Sequence, residues 1–175
     1  MAHSLEKEYK KALKKKAEAV RALDKLPTGY ISEKLIYGTK QYYLQKRVGK
    51  RVISKHISIS ELSDVRRELA LREAIQKELS VLDEKLGGIE AAAKLVSHDL
   101  YKRILFINAC APMEDLSFEE KMRASDFAQT MNAIEGIPTT EETKRGISAW
   151  YLGEIDFLSL YEATLRKYGF PVEVR

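Results

Sequence analysis

The chain of 175 residues carries 30 Lys and Arg against 26 Asp and Glu, a net charge of +4, with 45% apolar and 32% charged residues. That length holds one or two small domains and excludes a long multidomain enzyme. The composition can bury a core, yet no apolar run approaches the roughly 18–20 residues that cross a bilayer, and the one thiol, Cys110, excludes an internal disulfide framework.

The opening stretch MAHSLEKEYKKALKKK lacks the apolar centre of a secretory signal, and sparing cysteine use fits a reducing cytoplasm. His3, His56 and His98 are scattered and offer no zinc ligand set, so neither a metal nor a cofactor is expected. Charge is unevenly placed. Residues 1–56 hold 15 basic and 5 acidic side chains, and residues 57–175 hold 15 basic and 21 acidic, for nets of +10 and −6. Either the two parts face different partners or they attract one another.

In chain order, Leu5, Tyr9, Ala12, Lys16, Ala19, Leu23 and Leu26 alternate steps of four and three, the seam of a coiled-coil helix that Pro27 ends. Residues 29–59 change period. Apolar and aromatic runs around Tyr30, Ile36, Tyr42, Tyr43, Val52 and Ile53 are broken by Gly38 and Gly49, which predicts a three-stranded meander. A second seam, Leu62, Val65, Leu69 and then Ile75 to Ala93, predicts a helix capped by Ser60 or Ser63, antiparallel to the first. An apolar helix over 95–111 follows, closed by Pro112.

Ser117-Phe118-Glu119-Glu120 fits a capping box. It opens a helix with Phe118, Met122, Phe127, Met131 and Ile134 on its apolar side and Gly136 beyond its end. Thr139 to Glu142 reads as another capping box, opening a helix through Trp150 to Leu152, and Asp156 as the cap of a last helix ended by Gly169. The expectation is a mostly α chain: a helical hairpin or coiled coil with a small three-stranded antiparallel sheet over residues 1–111, then a three-helix unit over 116–175.

The sequence contains no P-loop, no GxGxxG after a strand, no HExxH and no GxSxG, so no catalytic residue is assigned and an enzyme is not expected. Cys110 reads as a small core residue. Glu135 is more specific. It stands in a last helical turn, where the dipole disfavours a carboxylate by about 0.3–1 kcal/mol, and is followed directly by Gly136. Such a glutamate is either solvated or held by a cation elsewhere.

Through the segment Met131-Asn132-Ala133-Ile134-Glu135-Gly136, residues 116–169, about a third of the chain, resemble the VbhA-type antitoxin domain, a three-helix inhibitor of Fic-domain adenylyl transferases. The inhibitory helix of that family carries [S/T]-x-x-x-E-[G/N]. The downstream Tyr151-Leu152-Gly153-Glu154-Ile155 and the closing Lys167-Tyr168-Gly169 fit as well. The Ser/Thr position of the family holds Met131, with Thr130 one residue early and thus turned by about 100°. The resemblance implies a Fic-domain partner, encoded nearby, whose γ-phosphate-binding arginine is paired by Glu135, with Gly136 allowing close approach. Phe127, Met131, Ile134 and Trp150 are the expected apolar anchors for that partner.

Residues 5–85 resemble an uncharacterised bacterial domain with the pattern LPxGYIxxKxIxGxxYYYLQxRxGKxVxSKxI. The pattern is matched by Leu26-Pro27, Gly29-Tyr30-Ile31, Lys34, Ile36, Gly38, Tyr42 to Gln45, Arg47, Gly49-Lys50, Val52 and Ser54-Lys55. No activity is implied by that likeness. Tyr42, Tyr43, Arg47, Lys50 and Arg51 join rings to cations, which suits phosphate contact and base stacking; alternatively the tyrosines pack inward while the cations solvate the outer face. A nucleic-acid-binding accessory protein is therefore the second functional expectation, and no membrane partner is expected.

Overall fold

The computed structural model describes residues 2–169, so the last six residues of the expected 116–175 unit lie outside the described residues. The elements are α1 (Ala2–Asp24), β1 (Tyr30–Ile36), β2 (Thr39–Val48), β3 (Arg51–Ile57), α2 (Ile59–Val96), α3 (His98–Glu114), α4 (Phe118–Ile134), α5 (Glu141–Tyr151) and α6 (Phe157–Lys167). The chain is mostly α with one small antiparallel sheet of order β1-β2-β3. No helix among the described residues is long and apolar enough to cross a membrane.

Two compact units emerge: residues 14–86, and residues 1–13 together with 87–175. In the first, Lys16 meets Asp83 at 2.6 Å, and the Arg72 guanidinium donates to the carbonyls of Leu23 (2.8 Å) and Leu26 (3.2 Å). Moving forward along α1 thus means moving backward along α2, the expected antiparallel pairing. Lys16, the polar break in the seam, is half-exposed and paired, so it interrupts the seam without leaving a buried charge. Ala19, Ile57, Leu62, Leu82 and Leu86 are buried.

Both hairpins turn through two-residue loops that contain a glycine at positive φ, Gly38 in the first and Gly49 in the second. Tyr37 and Gly38 both adopt positive φ (49° and 78°), the mirror-image turn that matches strand twist. The second two-residue loop has Gly49 first, at φ 60°, and Lys50 at negative φ, the other favoured hairpin turn, which takes glycine at its first position. Gly29 is fixed by a close approach: a Cβ there would sit 2.1 Å from the Gln45 carbonyl oxygen.

Helix starts differ from the expectation in three places. α2 is capped by Ser58 rather than Ser60 or Ser63: Ser58 N–H donates to Glu61 Oε2 (3.1 Å) while Glu61 N–H donates to Ser58 Oγ (3.3 Å). The expected 95–111 helix is cut at Ser97, whose hydroxyl accepts from Leu100 N–H at 3.1 Å and starts α3 anew. Pro112 sits inside the last turns of α3 instead of ending it. At α5 the cap is Thr140, bonded to Thr143 N–H, and not a Thr139–Glu142 box. The Ser117–Glu120 box and the Asp156 cap form as expected.

In the second unit, Tyr9 of α1 is buried and its phenol donates to Glu90 Oε1 at 2.5 Å. Burial, and then the Glu90 carboxylate, push that phenol above its usual range. α3 was read as the end of the N-terminal module, but its contacts join it to α6. Phe106 lies 4.8 Å from the Tyr161 ring, Arg103 pairs with Glu162 as well as with Glu6 (3.6 Å), and the Glu114 carboxylate accepts from Phe157 N–H. Gly146 lets α5 close on α6, since a Cβ there would meet Leu160 Cδ1 at 2.8 Å.

Two outcomes are expected. Tyr9→Phe removes a hydrogen bond to a charged acceptor and should cost about 1.5–3 kcal/mol in urea unfolding. The hydroxyls and then the backbone N–H groups of Ser58 and Ser117 hold Glu61 and Glu120 below the ordinary carboxylate range. A depressed folded pKa contributes stability that is complete above the unfolded value of about 4.3 and lost as pH falls through the folded value. Glu61→Gln with Glu120→Gln should therefore flatten the loss of stability below about pH 4.3, measured by urea midpoints across pH.

Candidate functional site

α4 is amphipathic in the reverse sense. Its buried positions are Lys121 and Ser125. The Ser125 hydroxyl accepts from Tyr151 O–H of α5 at 3.0 Å and from Gln129 Nε2 at 3.1 Å, while Lys121 Nζ lies over the Trp150 ring, 5.2 Å from its centroid. Phe118 meets Tyr151 edge-on at 6.2 Å, which places it at the margin of this inner face.

Phe127, Met131 and Ile134 are 70%, 40% and 73% exposed. At about 100° per residue they share an arc of roughly 60°, turned some 130° from Lys121 and Ser125. The three residues expected as partner anchors thus form an outward stripe at i, i+4 and i+7, the spacing by which a helix anchors in a groove. Burying each such side chain is worth about 1.5–3 kcal/mol, so the stripe is a reserve of binding free energy.

Trp150, expected among the anchors, is a correction: only 2% of it is exposed. It packs on Phe157 (5.1 Å) and beneath Lys121, and presents no surface to a partner.

The stripe runs to the C-cap of α4, which is Glu135. Gly136 follows at φ 75°, its N–H donating to Ala133 O (3.1 Å) and Ile137 N–H donating to Asn132 O (2.8 Å). These are the two bonds of a Schellman closure. They satisfy the last carbonyls of the helix and fix where Glu135 stands. Its carboxylate is exposed and has no cation paired with it among the described residues. Thr130, the hydroxyl nearest the family's Ser/Thr position, donates to the Asp126 carbonyl at 2.8 Å and is held on its own helix.

The structure does not bring the sheet candidates together. Strand register pairs Glu33 with Tyr42 and Tyr42 with Ile57, whereas Tyr43 pairs with Ser32 on one side and His56 on the other. Because side chains alternate, Tyr42 and Tyr43 point to opposite faces. Tyr42 faces α2, with the Arg66 guanidinium 6.0 Å from its ring. Beside it lies an open cavity of about 730 Å³, lined by residues that include Ile31, Glu33, Tyr42, Arg66, Leu69 and Glu73. Tyr43 lies on the other face with Arg47. Arg51 pairs with Val48 and belongs to the face of Tyr42, and Lys50 sits in the turn.

Cys110 is buried, and burial and then Glu114 push its thiol up, as for an inert core residue. Among the described residues no group of three His, Cys, Asp or Glu side chains could hold a metal ion. No protein-family profile matches the chain, and neither a curated protein nor a solved structure matches it.

Sequence reasoning found the α4 stripe through its spacing and named Phe127, Met131 and Ile134 as partner anchors, which their exposure allows, but placed Phe118 and Met122 on the same apolar side. The signal that the inner face lies elsewhere was Ser125, on the side of the helix that also carries Phe118 and Met122, with Tyr151 able to reach it. The outward assignment predicts that Phe127→Ser with Ile134→Ser leaves chemical stability within about 0.5 kcal/mol, as for surface changes. Trp150→Ala should cost about 3–5 kcal/mol. Urea denaturation of the two variants checks both.

Proposed function

We propose that the chain is an antitoxin-like regulator that docks the outer face of α4 into a Fic-domain adenylyl transferase and sets Glu135 against the arginine that holds the ATP γ-phosphate. The observation that carries this reading is the stripe of Phe127, Met131 and Ile134, exposed on a helix whose C-cap carboxylate has no paired cation among the described residues. The MNAIEG segment and its downstream likeness to the antitoxin family support it from the sequence.

The chemistry is a division of labour. The apolar stripe supplies affinity, since anchors buried in a groove carry most of the binding free energy. The carboxylate supplies inhibition. Paired with an arginine through two parallel hydrogen bonds, it occupies the place of the γ-phosphate, and ATP then cannot align its α-phosphate for transfer, a step that depends on accurate positioning. Gly136, with no side chain, leaves room for the partner beside the carboxylate. The chain itself then performs no chemistry.

Glu135→Gly should restore ATP-dependent labelling in a complex that still assembles, because one charged contact is worth about 1–3 kcal/mol. Phe127→Glu with Ile134→Glu should abolish assembly. A pull-down and a labelling assay on the same preparations separate the two effects. If the wild-type complex labels as fast as the free enzyme, the antitoxin reading fails.

A further inference from the structure

The solvent side of the small sheet is not used by the function proposed above, and the segment that forms the sheet is strongly basic. Residues 30–57 hold seven Lys and Arg and one acid, Glu33, which is itself paired with Lys40 at 2.8 Å. Of the other six cations, Lys34 and Arg47 lie on the face opposite α2 and Lys50 in the turn at its edge, while Lys46, Arg51 and Lys55 lie on the face of Tyr42. On the face opposite α2, Lys34 Nζ stands 5.2 Å from the centroid of the Tyr43 ring, and His56 meets that ring edge-on at 5.4 Å. The Tyr43 hydroxyl donates to Gln41 Oε1 at 2.8 Å, which fixes the ring in place. Lys34, Arg47 and His56 are exposed and Tyr43 is half-exposed.

At one end of the sheet, Tyr37 adds a second ring. It is fully exposed and holds φ at 49°. That conformation is strained for a bulky residue and is ordinarily given to asparagine or glycine in such a turn. Strain retained at a side chain that packs against nothing points to a use outside the fold.

The geometry points to a binding site for single-stranded nucleic acid on this face, with Tyr43 and His56 receiving a base and Lys34, Arg47 and Lys50 tracking the backbone. The charge selects a polyanion. The rings select one that has planar, unstacked groups to offer. A shallow sheet face has no protruding element to enter a duplex groove, whereas it can receive splayed bases. An acidic polypeptide would satisfy the cations and leave the rings without a role.

The test is fluorescence anisotropy of the full chain with a labelled run of about 15 deoxythymidines, within the range of site sizes such platforms cover, at about 50 mM salt. Expected are saturable binding tighter than to a duplex of equal length, and weakening of about ten-fold in Tyr43→Leu, since stacking dominates such contacts. Tyr42→Leu, on the opposite face, should change affinity less than two-fold. Lys34→Gln and Arg47→Gln should each reduce the log–log salt slope by about 0.7. If Tyr43→Leu fails to fold, the exposed His56→Leu takes its place, with a loss of several-fold expected. Absence of binding, equal affinity for duplex, equal losses in Tyr42→Leu and Tyr43→Leu, or competition by polyglutamate as effective as by unlabelled oligonucleotide would overturn the proposal.

Discussion

The contacts α4 makes on the Ser125 side of the helix set which way it faces. Bonded to Tyr151 and Gln129, and flanked by Lys121 over Trp150, the Ser125 hydroxyl makes the inner surface of the helix polar but satisfied. Rotating α4 to bury Phe127 and Ile134 would break the bond to Tyr151 and lift Lys121 off the Trp150 ring. The apolar stripe is held outward by polar contacts on the other side of the helix. Trp150 then serves as the floor on which the helix rests, and the Schellman closure at Gly136 brings the chain out of α4 with Glu135 in a defined position. The candidate site and the packing of its unit are two sides of one helix.

Much of the architecture was legible because local signals agreed with one another. The three-four seam through Leu5, Tyr9 and Ala19 names the face of α1, and glycine in each hairpin turn sets the strand breaks. Helix starts were harder. Ser58, Ser60 and Ser63 are all plausible caps for α2, and only Ser58 has Glu61 three residues on. Ser97 divides what periodicity reads as continuous apolar sequence, because a serine cap inside an apolar run leaves the period of its neighbours unchanged.

The candidate site was half legible. Glu135-Gly136 stands out as a carboxylate placed against its own helix dipole, and the i, i+4, i+7 spacing of Phe127, Met131 and Ile134 is visible without coordinates. Periodicity reports that a helix has an apolar stripe, not what covers it, and Trp150 was grouped with the stripe for its type alone. Tyr42 and Tyr43 were likewise grouped by adjacency, although in a strand adjacency guarantees opposite faces. The +10 charge of residues 1–56 lies in the part of the chain that contains the sheet. The stripe on α4 lies in the acidic remainder, which keeps the two interaction chemistries apart along the sequence.

Thiol labelling tests the orientation of α4 most directly, because the native Cys110 is buried and its thiol is pushed up, giving a silent background. Cysteine placed singly at 127, 134 and 125 is treated with a maleimide under native conditions. The account predicts rapid labelling at 127 and 134, with labelling at 125 as slow as at Cys110. Rapid labelling at 125 together with protection at 127 would mean that α4 buries its apolar stripe, and the docking face and the role given to Glu135 would fall with it.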